Sequence, residues 1–302
     1  MSNTATLLTD PSMRLTILGV AGAFMALELL MSRLGHRHRD THDLGESAAT
    51  FGVAVGHSLL RAVGAGLLSV PFTFVYSHRL FDFDTMTPLA LGGLFLATEF
   101  VYYWHHRATH RIRWMWATHS VHHSATRFNL TAALRLGWTA NLSGDFLFFL
   151  PLAWLGFHPA AIVAMLSANL FYQFFIHTQM APRLGPLEWI LNTPAHHSVH
   201  HASNEACLDK NYGGVLILFD RLFGSFAEAP KDEPLRFGLV GGTRTLNPFR
   251  IAFGEWIALA RDFRRVDTLK MKWLALFGPP GAVKPQGSPT AAPTAAMLSL
   301  AS

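Results

Sequence analysis

Five apolar runs separated by short polar segments set the terms on which this chain can fold. Residues 15–31 (LTILGVAGAFMALELLM) fall just short of the usual bilayer-spanning length, about 20 residues as a helix. No basic segment precedes them, so a membrane helix is expected rather than a signal peptide. Residues 49–76 are apolar again, interrupted by His57 and Arg61. Residues 87–104 end in Tyr102, Tyr103 and Trp104, the aromatic pattern of a membrane–water boundary. Runs 145–157 and 160–177 flank Pro159 and predict a tight helical hairpin, shallow or tilted because each run is short for a full span. The expectation is an all-α, multi-pass membrane protein.

The charges agree. Only 14% of the 302 residues are charged, against about 25% in a typical soluble domain. The net charge of +5 is spread along the chain without a nucleic-acid-binding pattern, so no nucleic-acid partner is expected. The N-terminus and the 77–86 loop carry only Arg14 and Arg79. Residues 32–48, 105–143 and the chain after 178 carry nearly all the rest, which predicts that this side is cytoplasmic. The Ala-, Gly- and Arg-rich composition favours a bacterial inner membrane over the endoplasmic reticulum. Cys207 is the only cysteine, which excludes an internal disulfide and a thiolate zinc site. Residues 255–277 mix aromatic and basic residues and are read as an amphipathic helix on the membrane surface, with an ordinary packed helix as the alternative. Residues 279–302 are rich in Pro, Ala, Ser and Thr and predict a disordered tail. The resulting division is 1–86 for the N-terminal helices, 87–228 for the histidine-rich domain, 229–278 for the surface region and 279–302 for the tail.

Histidine is the outlying residue, with 17 copies. WHHRATH supplies His105, His106 and His110, HSVHH supplies His119, His122 and His123, and HHSVHH supplies His196, His197, His200 and His201. On a helix, residues three and four apart share a face. Each cluster can therefore offer two or three imidazoles to a centre. Their total exceeds one four-coordinate ion and suits two metals. An all-nitrogen donor set favours iron, zinc or copper over magnesium or calcium. Thr193 and Pro194 predict the start of a short helix carrying the last cluster. All clusters then lie on the side predicted to be cytoplasmic.

Other histidines read differently. His36, His38 and His42 fall in a polar loop, and His78 and His158 at turns, where solvation is expected. His57, beside Arg61 on a helix, is expected to make a polar interior contact. His105 and His196 flank the regular motifs and are candidates for supporting the ligands. Spacing alone leaves His177 open. Glu99 lies one heptad before His106, and either orients a ligand imidazole or makes a buried hydrogen bond without chemistry.

These motifs resemble the fatty acid hydroxylase / sterol desaturase superfamily of membrane di-iron enzymes. Its HxxxH, HxxHH and second HxxHH pattern is met by His106/His110, His119/His122/His123 and His197/His200/His201. NLTAALR (129–135) and NYGGVLILFDRLFGSF (211–226), which contains Asp220, resemble the stretches after the second and third motifs, in the branch that includes alkylglycerol monooxygenase and bacterial sterol desaturase-like proteins. The chain departs from that branch at Ala125–Phe128, where acidic residues are common, and at Phe219, where tryptophan is common. The resemblance implies a cytoplasmic di-metal cap with two ferrous ions, and dioxygen as co-substrate. It implies a lipid substrate that is hydroxylated or desaturated, and electrons from an external donor. It also implies His177 as a ligand, with Glu99, His105, His196 and Asp220 around the ligands. No flavin or nicotinamide fingerprint is present. Two other classes fit part of the pattern. A metal transporter needs ligands along a path through the bilayer, and a zinc hydrolase needs a general base as in HExxH, which the chain lacks.

Overall fold

The computed structural model describes residues 11–35 and 41–283. His36, His38 and residues 284–302 lie outside the described residues. Within the described residues the fold is all-helical, without strands; two isolated antiparallel bridges join Leu191 to Leu216 and Ala202 to Phe237.

Helix α1 spans Pro11–Leu34, α2 Leu44–Ser77 and α3 Pro88–Arg111. Their apolar composition sustains them, and local caps end them. Asp43 accepts from Glu46 N at the start of α2, and Thr87 accepts from Ala90 N at the start of α3. Helix α2 continues through Pro71. Helix α3 runs on past Trp104 to Arg111, so the first histidine cluster extends directly from the apolar run. Helix α4, Arg113–His123, then carries the second cluster.

A 3-10 turn over Leu130–Leu134 and α5, Ala140–Ser143, lead into the hairpin. Its first limb is not one α-helix as expected. Asp145–Phe149 is a 3-10 turn, and α6 covers only Leu150–Leu155. Pro151 at the start of α6 has no backbone N–H to continue a longer helix. Gly156, at φ 117°, turns the chain into α7, Pro159–Ile176. The glycine is required twice over, because a Cβ there would also lie 2.4 Å from the Phe81 carbonyl oxygen. Helices α3, α6 and α7 close on a core of Leu94, Tyr102, Phe149, Leu152, Ala153 and Ile162.

The last cluster sits on α8, Pro194–His201. Thr193 takes the N-cap position but forms no capping bond; its hydroxyl faces His196 Nδ1 at 3.4 Å. Helix α9 is Leu218–Leu222, α10 Pro248–Arg265 and α11 Leu269–Phe277. The single amphipathic helix expected over 255–277 is thus two helices, interrupted where Thr268 caps α11. Helix α10 packs on the rest of the protein through Ile251, Ala252 and Leu259, and Trp256 Nε1 donates to Thr139 Oγ1.

Among the described residues, two helical segments are long and apolar enough to cross a membrane, Leu15–Leu34 and Pro159–Ile176. Outward-facing aliphatic side chains also continue onto α2 and α3, as at Val55, Leu59, Leu89 and Leu96.

Candidate metal centre

The three sequence clusters do not each make one centre. Five imidazoles, of His106, His110, His119, His123 and His200, form one group, and four, of His122, His177, His197 and His201, form another. Within each group the potential ligand atoms lie within 4.8 Å of one another. Adjacent residues on a helix diverge by about 100°. His122 and His123 therefore part to different groups, and His200 and His201 do the same. The groups adjoin: the rings of His123 and His201 stack across the divide at 4.4 Å. His177, which spacing left open, falls within the second group at the end of α7.

Backbone carbonyls set the tautomers. Nδ1 of His106 donates to the Tyr212 carbonyl at 2.8 Å and that of His200 to Lys210 at 2.8 Å. Nδ1 of His122 donates to Arg135 at 3.3 Å and that of His177 to Gln173 at 2.6 Å. Each of these imidazoles then turns a lone pair on Nε2 into its group. Burial pushes His122 down to about 4 and His200 down to about 3, and holds His119, His123, His197 and His201 well below the ordinary 6.5. They are neutral near pH 7, the form that binds metal.

The consequence is sharpest between His122 and His177. Their Nε2 atoms lie 3.1 Å apart, while both Nδ1 protons are committed to carbonyls. Two lone pairs at this distance repel unless a cation lies between them. Related contacts join His106 to His119 at 3.1 Å, His119 to His123 at 3.2 Å and His177 to His197 at 3.0 Å. Such spacings suit imidazoles sharing an ion at about 2.1 Å. His110, His200 and His201 each bury an Nε2 without a hydrogen-bond partner, a costly state that a metal relieves. The residues present fit two metal ions with nitrogen-rich coordination.

The expected supporting residues divide. Asp220 is fully buried and accepts from Tyr212 N, Gly213 N and Ser225 Oγ, each at 2.7 Å. It thereby holds the carbonyl that fixes His106. Glu99 touches no imidazole. It accepts from Val215 N at 2.9 Å, Leu216 N at 2.8 Å and Asn169 Nδ2, so it holds the same loop from the other side. His105 lies outside both groups, 3.6 Å from Asp145. His196 also lies outside them, packed on Phe226.

Other expectations resolve locally. His57 Nδ1 contacts the Gly137 carbonyl at 2.9 Å, the polar interior contact expected. His78 and His158 are exposed at helix ends. His42 is not solvated: its side chain is 3% exposed and lies 3.4 Å from Glu28 of α1.

Sequence reasoning assigned no role to several residues that line or brace the groups. Tyr212 packs on His106, His110 and His200 at 5.3–6.0 Å. Phe128 packs on His177 and His201 at 5.6 and 5.1 Å. Arg135 is buried and paired with Glu46 of α2 at 3.4 Å. All three fall at or beside the stretches that follow the second and third motifs. Their roles depend on contacts across the chain, which spacing does not reveal.

Comparison with known proteins accounts for the arrangement. The fatty acid hydroxylase family profile matches residues 91–225, which contain both histidine groups. Over these residues the chain is similar to the fatty acid hydroxylase family. It is 38% identical over 235 residues to human alkylglycerol monooxygenase, covering 74% of this chain and 52% of that protein. The Xenopus tropicalis enzyme of the same name is 38% identical over 205 residues, covering 68% and 45%. An ornithine lipid hydroxylase of Rhizobium tropici is 28% identical over 222 residues, covering 74% and 64%. The chain spans about half the length of the alkylglycerol monooxygenases it matches. No solved structure matches it.

Proposed function

We propose that this chain is a member of the fatty acid hydroxylase superfamily and a membrane-embedded, iron-dependent lipid hydroxylase. The observation that carries the reading is the His122–His177 contact, two buried, neutral imidazoles whose lone pairs face each other at 3.1 Å. The ligands are His106, His110, His119, His123 and His200 for one ion, and His122, His177, His197 and His201 for the other. Bound iron supplies dioxygen reduction and oxidation of an unactivated C–H bond, with two electrons from an external donor. Asp220 and Glu99 hold the loop that orients His106. Phe128, Tyr212 and Trp116 pack around the imidazoles and keep bulk water away.

The substrate class follows the relatives' names: an alkylglycerol or another polar lipid with a single reacting chain. Hydroxylation is favoured over desaturation on the same ground. Residues 87–228 form the catalytic domain in this reading, and the groups lie at the cytoplasmic face. A metal transporter would need ligands strung along a path, whereas these two groups adjoin.

The test is metal analysis of detergent-purified protein prepared anaerobically with iron, followed by lipid turnover under oxygen. About two irons per chain, with dioxygen-dependent hydroxylated lipid, is the expected result. A single zinc with oxygen-independent lipid cleavage would replace the reading with a hydrolase.

A further inference from the structure

A cavity of about 250 Å³ opens between α1 and the end of α7. Its walls are Phe24, Leu27 and Met31 of α1, Phe175 of α7, and Leu130 and Met180. Phe24, Leu27 and Met31 are also about half exposed, so the cavity gives onto the apolar outer surface of α1. Its volume exceeds the roughly 150 Å³ at which an apolar cavity takes up benzene, enough for a stretch of one alkyl chain. The cavity adjoins the second histidine group. Thr178, in its wall, follows His177 in the chain, and Leu130 lies two residues beyond Phe128, which packs on His177 and His201.

One end of this apolar space is polar. Glu28 lines it and is only 5% exposed. Its carboxylate accepts from Leu130 N at 2.8 Å and from Thr178 Oγ1 at 2.5 Å. A carboxylate offers about four acceptor positions, so capacity remains. His42 Nε2 lies 3.4 Å from Glu28 Oε2, but His42 is not part of the cavity wall. A spare acceptor position on a buried carboxylate suits a hydroxyl, which can donate to it. Glu28 lies toward the C-terminal end of α1, level with the cap, while Phe24 lies a turn deeper along the apolar run.

We propose that this groove seats a single-chain lipid, its alkyl chain between α1 and α7 and a hydroxyl of its head at Glu28. The inference rests on the lipid-oxidation reading and extends it to the shape of the substrate. It also gives α1, which lies outside the matched domain, a part in choosing that substrate.

The test is photocrosslinking in phosphatidylcholine nanodiscs, on the full chain loaded with iron and kept anaerobic so that no turnover occurs. The probe is a vicinal hexadecanediol with a diazirine in its chain. Crosslinks are expected at Phe24, Leu27, Met31 and Met180, and unlabelled diol should compete them away. The dimethyl ether of the diol, which cannot donate, should compete about tenfold less well, the share of one charge-assisted hydrogen bond. That preference should shrink in Glu28→Gln, whose amide oxygen still accepts but without a charge, and Ala181→Trp should abolish the crosslinks by filling the groove. Crosslinks that do not saturate, or that fall equally on outward-facing Leu15, Leu18 and Leu30, would overturn the groove. Equal competition by diol and ether in the unmodified protein would overturn the head-group contact. Competable crosslinks in a protein that never oxidises lipid would leave the groove standing and remove the hydroxylase reading instead.

Discussion

The two histidine groups differ in what holds them. The first is braced from within the matched domain: Tyr212 and Lys210 carbonyls fix His106 and His200, and Asp220 and Glu99 fix that loop. The second leans on the N-terminal helices. His122 is fixed by the Arg135 carbonyl, and Arg135 is held by Glu46 and Thr50 of α2. His177 precedes Thr178, which Glu28 of α1 grips. The first group is thus a property of the domain, whereas the second depends on helices that precede it. Placing the lipid groove at the second group follows that asymmetry.

The largest effect expected is from removing one ligand of each group. His200→Ala should empty the first group and His122→Ala the second, each lowering iron from about two to about one per chain and abolishing lipid oxidation. Metal analysis checks both. If either variant keeps its full metal and activity, the division into two groups is wrong.

Next in size is Glu46→Ala. It leaves Arg135 buried and unpaired, a loss of about 3–5 kcal/mol for a buried pair. Thermal unfolding should shift down, and the metal of the second group should leave before that of the first. Simultaneous loss of both would mean that the groups do not differ in support. Asp220→Asn should act on the first group instead, weakening metal affinity or activity about 10–100-fold, with the fold intact by circular dichroism.

A milder test is pH. Burial depresses the imidazoles of both groups, so the unfolded chain binds more protons than the folded one below the ordinary value of 6.5. Their contribution to stability is present above pH 6.5. It is lost as pH falls toward the folded values, about 4 for His122 and about 3 for His200. Denaturant melts of metal-free protein should therefore weaken steadily below pH 6.5 and stay flat above it as far as these groups are concerned. The smallest effect is expected of His105→Ala, because His105 belongs to neither group. Metal content should be unchanged, and a lost ion would return it to the ligand set.

Much of this was legible in the residues themselves. Helix periodicity brought His106 to His110, His119 to His123 and His197 to His201, because 3.6 residues per turn is a local rule. The apolar runs likewise announced the long helices. The hairpin's first limb and the 255–277 segment were misjudged, since a proline at residue 151 and a cap at Thr268 divide what composition left continuous.

Local rules could not say that each HxxHH motif is shared between two groups. That division depends on how α3, α4, α7 and α8 converge, and only the fold brings His106, His119 and His200 into one group and His122, His177 and His197 into the other. The same holds for Glu28, which reads as one acid in an apolar run. Its partners lie 102 and 150 residues away at Leu130 and Thr178. Sequence determined which side chains can bind metal and which segments are helical, because both follow from residue type and near-neighbour spacing. Tertiary structure decided which imidazoles face each other and what braces them, because those contacts form only once distant helices pack.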